Sequence, residues 1–330
     1  MYHLYFNAIF FMSPIIVNSV YILLGTVGLY YGAEFLIKGG VAIARKAGIS
    51  PMIIGLTLVA FATSAPELVV SVSAGLKGNS DIALGNVIGS NICNIALILG
   101  LCACITPLGT DRKLFRFDLP VMVISALVLA FFCFRGAEIG RLEGAFLFAG
   151  LLGYTGWNIY VSRKENAVPA EETQEVKSAL SPLWLSLFYV GLGLALLVCG
   201  AHFFLEGARY IAKLFHLSDA VIGLTVVAVG TSLPELATSV VAAIKKEQDI
   251  AIGNVVGSNI FNILGIIGIT PMCSPLSNYS INAVDLGMML LCTIGLLPLM
   301  RTNWKISRAE GFLMLAVYCA YTAYLIVNHT

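Results

Sequence analysis

The run Ala60-Phe61-Ala62-Thr63-Ser64-Ala65-Pro66-Glu67 returns later in the chain as Ala228-Val229-Gly230-Thr231-Ser232-Leu233-Pro234-Glu235. Working outward from these runs, segments 55–100 and 223–268 align without gaps at a constant offset of 168, with 28 of 46 positions identical. The likeness reaches back to Gly32/Gly200 and, with small gaps, forward to Arg141/Arg308 and Glu143/Glu310. Self-similarity at one fixed offset means two copies of a single structural unit.

The setting of these runs is apolar. Of 330 residues, 58% are AVILMFWYC and only 11% are charged, 19 basic and 18 acidic, against about 25% charged in a soluble domain. That excludes a water-soluble surface, a disordered chain and a nucleic-acid binder, and leaves a polytopic, all-α integral membrane protein. A spanning helix needs about 20 apolar residues. Ten segments qualify, near 15–44, 50–76, 80–105, 117–134, 141–161, 182–212, 218–244, 248–270, 281–300 and 307–327. Residues 1–18 lack the basic region of a cleavable leader and read as the lead-in to the first helix. The eight cysteines form no CxxC pair and read as small apolar packing residues.

Between the fifth and sixth segments lies the one sustained polar stretch, 162–181, with Arg163, Lys164, Glu165, Glu171, Glu172, Glu175 and Lys177. It is a linker between a first membrane repeat, 1–161, and a second, 182–330. Basic residues set orientation. With the N-terminus outside, Arg45, Lys46, Arg112, Lys113, Arg116, Arg163, Lys164, Lys177, Lys245, Lys246, Arg301, Lys305 and Arg308 fall inside. Only Lys77, Arg135, Arg141, Arg209 and Lys213 fall outside. Both termini are therefore expected outside and the linker in the cytoplasm. Five helices per copy is an odd number, so the second copy enters the membrane in the opposite sense. Inverted repeats of this kind typify secondary transporters, with the substrate bound near the midplane.

The repeated runs carry the chemistry. Glu67 is the only ionisable side chain between Lys46 and Lys77, and Glu235 the only one between Asp219 and Lys245. A carboxylate at mid-bilayer costs on the order of 3 kcal/mol. A structural role would need a basic partner, and no Lys or Arg lies nearby in either helix. Pro66 and Pro234 break the helix and free carbonyls near Ala62 and Gly230, tolerable in a membrane where they line a site. Thr63, Ser64, Thr231 and Ser232 add hydroxyl oxygens on the same turn.

The next segment of each copy reads Gly85-Asn86-Val87-Ile88-Gly89-Ser90-Asn91-Ile92-Cys93-Asn94 and Gly253-Asn254-Val255-Val256-Gly257-Ser258-Asn259-Ile260-Phe261-Asn262. The glycines suit a close crossing of the two polar helices. Ser90 and Asn94, matched by Ser258 and Asn262, sit four apart on one helical face and offer neutral oxygens. Asn86, Asn91, Asn254 and Asn259 either join that site or bond freed backbone. An all-oxygen set suits a hard cation such as Ca2+, which takes about six to eight such ligands. Two Glu match one Ca2+, and equally serve two or three Na+ or a pair of protons. The segments hold no His or ligand-spaced Cys for a soft metal. His202 stands at the repeat position of Glu34, where helix packing is the expected role.

Both segments resemble the α-repeats of the sodium/calcium exchanger family, within the cation/Ca2+ antiporter superfamily, in a prokaryotic-type form without a large cytoplasmic regulatory region. The resemblance covers nearly the whole membrane chain and is sharpest at 55–100 and 223–268. It implies ten helices in two inverted halves with broken core helices, and exchange of Na+ for Ca2+ by alternating access. Carried over by position, it implies ligands Glu67, Glu235, Thr63, Thr231, Ser64, Ser232, Ser90, Ser258 and Asn94, with the carbonyls of Ala60 and Ala228. Asn262 stands where some members have an aspartate, which lowers the negative charge available for Na+. The long helices 15–44 and 182–212 are expected to slide against the core as gates.

The expected localisation is multi-pass in the plasma (inner) membrane. Ca2+ and Na+ are expected as transported substrates, with no other cofactor, nucleic acid or obligate protein partner. An H+/Ca2+ or K+-dependent exchanger would use the same two glutamates, and a channel would conduct without counter-ion. No HExxH or GxSxG is present, so hydrolytic chemistry is not expected.

Overall fold

The structure is a computed structural model that describes residues 14–136, 138–165, 182–215, 228–279, 281–301 and 304–329. Helix α1 (Pro14–Ala47) leads to Ser50, whose side chain accepts the Ile53 N–H and caps α2 (Pro51–Thr63), with Pro51 at its first position. At Ser64 the chain bends by 47° and resumes as α3 (Ala65–Leu76). Pro66 is the cause. It has no N–H for the Ala62 carbonyl, and its ring crowds the preceding turn. Next come α4 (Ser80–Ile105), α5 (Leu114–Phe134) and α6 (Arg141–Glu165). Beyond the linker run α7 (Leu183–Leu214), the short α8 (Ala228–Thr231), α9 (Leu233–Ile244), α10 (Gln248–Cys273), α11 (Ala283–Arg301) and α12 (Arg308–His329). The break repeats between α8 and α9: Ser232 sits at φ −87°, ψ 10°, close to the −83°, 6° of Ser64. Strands β1 (Leu108–Gly109) and β2 (Lys305–Ile306) pair antiparallel.

Among the described residues, seven helices are long and apolar enough to cross a membrane, or eight if α2 and α3 form one bent span. Helix α6, at 25 residues, falls outside that count, and the segment expected near 218–244 is described only from Ala228 onward. Several boundaries differ from expectation by three or four residues, and two show why. Helix α6 continues through Arg163 and Lys164 instead of ending at 161, and α5 begins at Leu114, before 117. In both, an already formed helix carries flanking basic residues on without a breaker. The rest of the linker, 166–181, lies outside the described residues.

Burial sorts the helices. The most apolar 18-residue stretch of α10 is 100% buried and that of α4 72%, against 22% for α7. Helices apolar all round belong in a core, so α4 and α10 form the centre and α1 and α7 lie outside it. Cys93, Cys102, Cys133 and Cys292 are buried as expected, but Cys199, Cys273 and Cys319 are exposed. Apolar sequence marks lipid-facing and core-facing positions alike, so the packing role does not hold for these three.

Contacts recur in exchanged pairs. Gly25 packs on the Gly200 backbone and Gly32 on that of Gly193. Leu108 pairs with Ile306, and Leu276 with Ile139. Gly100 meets Gly311, and Gly144 meets Gly268. The Tyr154 hydroxyl donates to Asp118 at 2.8 Å, tying α6 to α5, and Tyr321 donates to Asp285 at 2.8 Å, tying α12 to α11. In every case but the tyrosines, which stay within their own halves, adding 167 or 168 to one residue and subtracting it from the other gives the second contact.

One region breaks this pattern. Helix α1 lies across α9, where Lys245 Nζ meets Glu34 Oε1 at 2.7 Å, and Thr238 of α9 is 0% exposed. On α3, Val70, the repeat counterpart of Thr238, is 37% exposed and its neighbour Val69 68%.

Candidate cation-binding site

The two helix breaks face each other. Each proline places the following Glu in the first turn of a new helix, where free backbone N–H groups and the helix dipole favour a negative charge. The Ser64 hydroxyl donates to Glu235 Oε1 at 2.7 Å, and the Ser232 hydroxyl donates to Glu67 Oε1 at 3.2 Å. Thr231 neighbours the Glu67 carboxylate and Thr63 that of Glu235. Thr63 also donates to Asn254 Oδ1 at 3.1 Å. Glu67 and Glu235 are 0% and 1% exposed. Their second oxygens, Oε2 in each, are buried and have no hydrogen-bond partner among the described residues. Among the described residues no basic side chain pairs with either one. Two dehydrated carboxylates without a basic side chain beside them are costly. The arrangement makes sense as a place for a positive ion.

Helices α4 and α10 close the site. The Ser90 and Ser232 hydroxyls lie 3.4 Å apart, and Ser258 Oγ, Asn94 Oδ1 and Asn262 Oδ1 are buried oxygens without partners among the described residues. All ten expected side-chain ligands are thus described, and the glutamates, serines and threonines of the two breaks meet directly. Of the backbone candidates, the Ala60 carbonyl already accepts the Ser64 N–H at 3.0 Å, with the Thr63 hydroxyl oxygen 3.3 Å away. Ala228 begins α8.

The remaining asparagines divide. Asn86 Nδ2 donates to the Glu67 carbonyl at 3.2 Å and to Ser71 Oγ at 2.9 Å. Asn254 Nδ2 donates to the Glu235 carbonyl at 3.4 Å and to Ser239 Oγ at 2.9 Å. These brace the backbone of the acidic turns. Asn91 and Asn259 instead accept from Asn262 and Asn94. Ser71 and Ser239 are not among the expected site residues, although both sit four residues after the Glu and share the repeat offset. The glycine expectation needs correcting. A Cβ on Gly257 would lie 2.5 Å from the Leu56 carbonyl, and one on Gly253 2.8 Å from that of Met52. The glycine face of α10 therefore packs on α2, not on α4. Among the described residues nothing lies within 4 Å of a Cβ placed on Gly85 or Gly89, and the repeat counterparts of Met52 and Leu56 fall outside the described residues. His202 departs from the expected packing role: it is exposed on α7, its ring 5.8 Å from that of the adjacent Phe203.

A buried cluster of carboxylate, hydroxyl and amide oxygens, set in a multi-pass helical protein, has the donor chemistry of a membrane cation transporter. The profile of the sodium/calcium exchanger protein family matches residues 17–160 and again 185–327, and the chain belongs to that family. It is 36% identical to the putative antiporter CaxA of Alkalimonas amylolytica over 93% of this chain and 98% of that one. It is 34% identical to the sodium/calcium exchanger MaX1 of Methanosarcina acetivorans, over 94% and 99% of the two chains. Among solved structures, the sodium-calcium exchanger NCX_Mj is 33% identical and superposes with a TM-score of 0.79 over 94% of this chain and 99% of that one.

Proposed function

We propose that this protein exchanges Ca2+ for Na+ across the membrane by alternating access, with the ions held by Glu67 and Glu235. It is a secondary active antiporter, as its family membership supports. The observation that carries the site is the pair of buried carboxylates, each accepting from a hydroxyl of the opposite break and each with one oxygen that has no hydrogen-bond partner among the described residues. Thr63, Thr231, Ser64, Ser232, Ser90, Ser258, Asn94 and Asn262 supply neutral oxygens around them, with the carbonyls of Ala60 and Ala228 in reach of the same breaks. Occupancy neutralises the two acids. The empty site, doubly charged, is expensive to carry from one face to the other, which suppresses leak.

The same reading extends to the whole chain. Ten helices form two five-helix halves of opposite topology, 1–161 and 182–330, joined by the cytoplasmic linker 162–181, with both termini outside the inner membrane. The exchanged contact pairs argue for a two-fold relation between the halves. Helices α1 and α7 are the moving gates. With α1 covering α9 while Val69 and Val70 of α3 stay exposed, the end of α3 that carries Lys77, the outer side by the basic-residue count, is the side from which the buried site would open.

The test is Na+-driven uptake of radiolabelled Ca2+ in proteoliposomes. Wild type should take up Ca2+ only against an outward Na+ gradient, and Glu67→Gln should abolish uptake. Full flux in Glu67→Gln would refute the ligand assignment. Uptake driven equally by a proton gradient would move the counter-ion to H+.

A further inference from the structure

Four asparagines between α4 and α10 form two crossed relays. Asn262 Nδ2 donates to Asn91 Oδ1 at 3.0 Å, and Asn94 Nδ2 donates to Asn259 Oδ1 at 3.4 Å. Each acceptor is itself anchored on sulfur: Asn91 Nδ2 lies 4.0 Å from Met289 Sδ, and Asn259 Nδ2 lies 3.8 Å from Met122 Sδ. All four asparagines and both methionines are buried.

The direction of each relay follows from donor and acceptor chemistry. A thioether can only accept. It therefore takes the amide N–H of Asn91 or Asn259 and leaves that residue's oxygen turned away. That oxygen takes the N–H of Asn262 or Asn94. The last oxygens in line, Asn262 Oδ1 and Asn94 Oδ1, are left buried and without a partner among the described residues. Turning either terminal amide over would set two oxygens against each other and leave an N–H where the oxygen had been. A cation neighbouring that position would be repelled.

We propose that Asn91 and Asn259, backed by Met289 and Met122, are positioning residues that hold the carboxamide oxygens of Asn262 and Asn94 toward the transported cation. They act through these ligands and touch no ion. The proposal rests on the reading of the site as a Ca2+ site and deepens it: the chain fixes by hydrogen-bond polarity, twice over, which atom of a symmetric-looking amide the ion meets.

The experiment uses the full chain in proteoliposomes, with initial rates of Na+-driven Ca2+ uptake over a range of Ca2+ concentrations. Asn91→Leu and Asn259→Leu should raise half-saturating Ca2+ about tenfold, the scale for losing a partner that orients a metal ligand, while the maximal rate changes less. Met289→Leu and Met122→Leu keep the core volume and should raise half-saturation by a smaller factor. In a double-mutant cycle, Asn91→Leu added to Asn262→Ala should be no worse than Asn262→Ala alone, because the group being positioned is already gone. Unchanged half-saturation in the single variants, or full additivity in the cycle, would overturn the proposal. Should the leucine variants fail to fold, the same cycle with Met289→Leu in place of Asn91→Leu decides it by the same criteria. Wild type and Glu67→Gln, run alongside, report separately on the Ca2+ site: if Glu67→Gln transports like wild type, the site reading fails, and the proposal fails with it.

Discussion

Ser64 and Ser232 each serve the opposite half of the chain. Ser64 lies in the break before Glu67 yet donates to Glu235, and Ser232 lies in the break before Glu235 yet donates to Glu67. The crossing makes each acid depend on both repeats. A hydrogen bond to a charged group is worth about 1.5–3 kcal/mol. Ser64→Ala should therefore weaken half-saturating Ca2+ about ten- to a hundredfold, given that each 1.4 kcal/mol is about tenfold. Uptake titrations in proteoliposomes check this, and an unchanged value would remove Ser64 from the site. The glutamates, hydroxyls and terminal amides were legible in the sequence because burying polar groups in an apolar run is costly, and a cost borne twice at one offset marks a shared site. Met122 and Met289 were not. An apolar side chain in an apolar segment carries no mark of the sulfur contact it makes, and only the fold brings it against an asparagine.

At the scale of helices, proline made the breaks readable, and the observed bend falls where Pro66 removes a donor. Less readable was the state of the gates. Two near-identical repeats allow two equivalent arrangements, so no sequence pattern says which half is covered. In the structure α9 is the covered one, with Thr238 buried while its counterpart Val70 on α3 is exposed. Glu34 on α1 holds Lys245 at the end of α9, whereas the residues at the corresponding repeat positions are His202 and Lys77, a pair that cannot form the same attraction. A partly exposed ion pair is worth about 0–1 kcal/mol, so Glu34→Gln should shift the balance between gate positions by at most about fivefold. Comparing half-saturating Ca2+ from each side of oriented vesicles reads this shift, with equal values in wild type and variant counting against the latch. The helix pair α1–α7 is held more firmly. A Cβ on Gly200 would sit 2.8 Å from the Leu29 nitrogen and 2.9 Å from the Gly25 carbonyl. Backbone cannot give way there as a side-chain end can. Gly200→Val should force the pair apart at a cost of about 1–3 kcal/mol and lower the unfolding temperature in detergent; an unshifted transition would mean that the two helices are not tightly packed in solution.

For the molecule as a whole, the decisive question is whether the two halves run in opposite senses through the bilayer. Duplication alone does not require it; an odd number of helices per copy does. The exchanged contacts fit such a relation, since a two-fold axis lying in the membrane plane converts every contact between the halves into its partner. Opposite topology has a direct consequence at the two turns that end α3 and α9. These turns have equivalent conformations: Gly78 has φ +75°, and Lys246, at the same repeat position, has φ +63°. The Lys77 turn should nevertheless face the outside and the Lys246 turn the cytoplasm. In intact cells, with the exposed Cys199, Cys273 and Cys319 first replaced by serine, a membrane-impermeant maleimide should label Lys77→Cys and leave Lys246→Cys unmodified until the membrane is permeabilised. Equal labelling of both from outside would mean parallel halves. The two acids would then be carried by segments entering from the same face, and no two-fold axis in the membrane plane could bring the two breaks together.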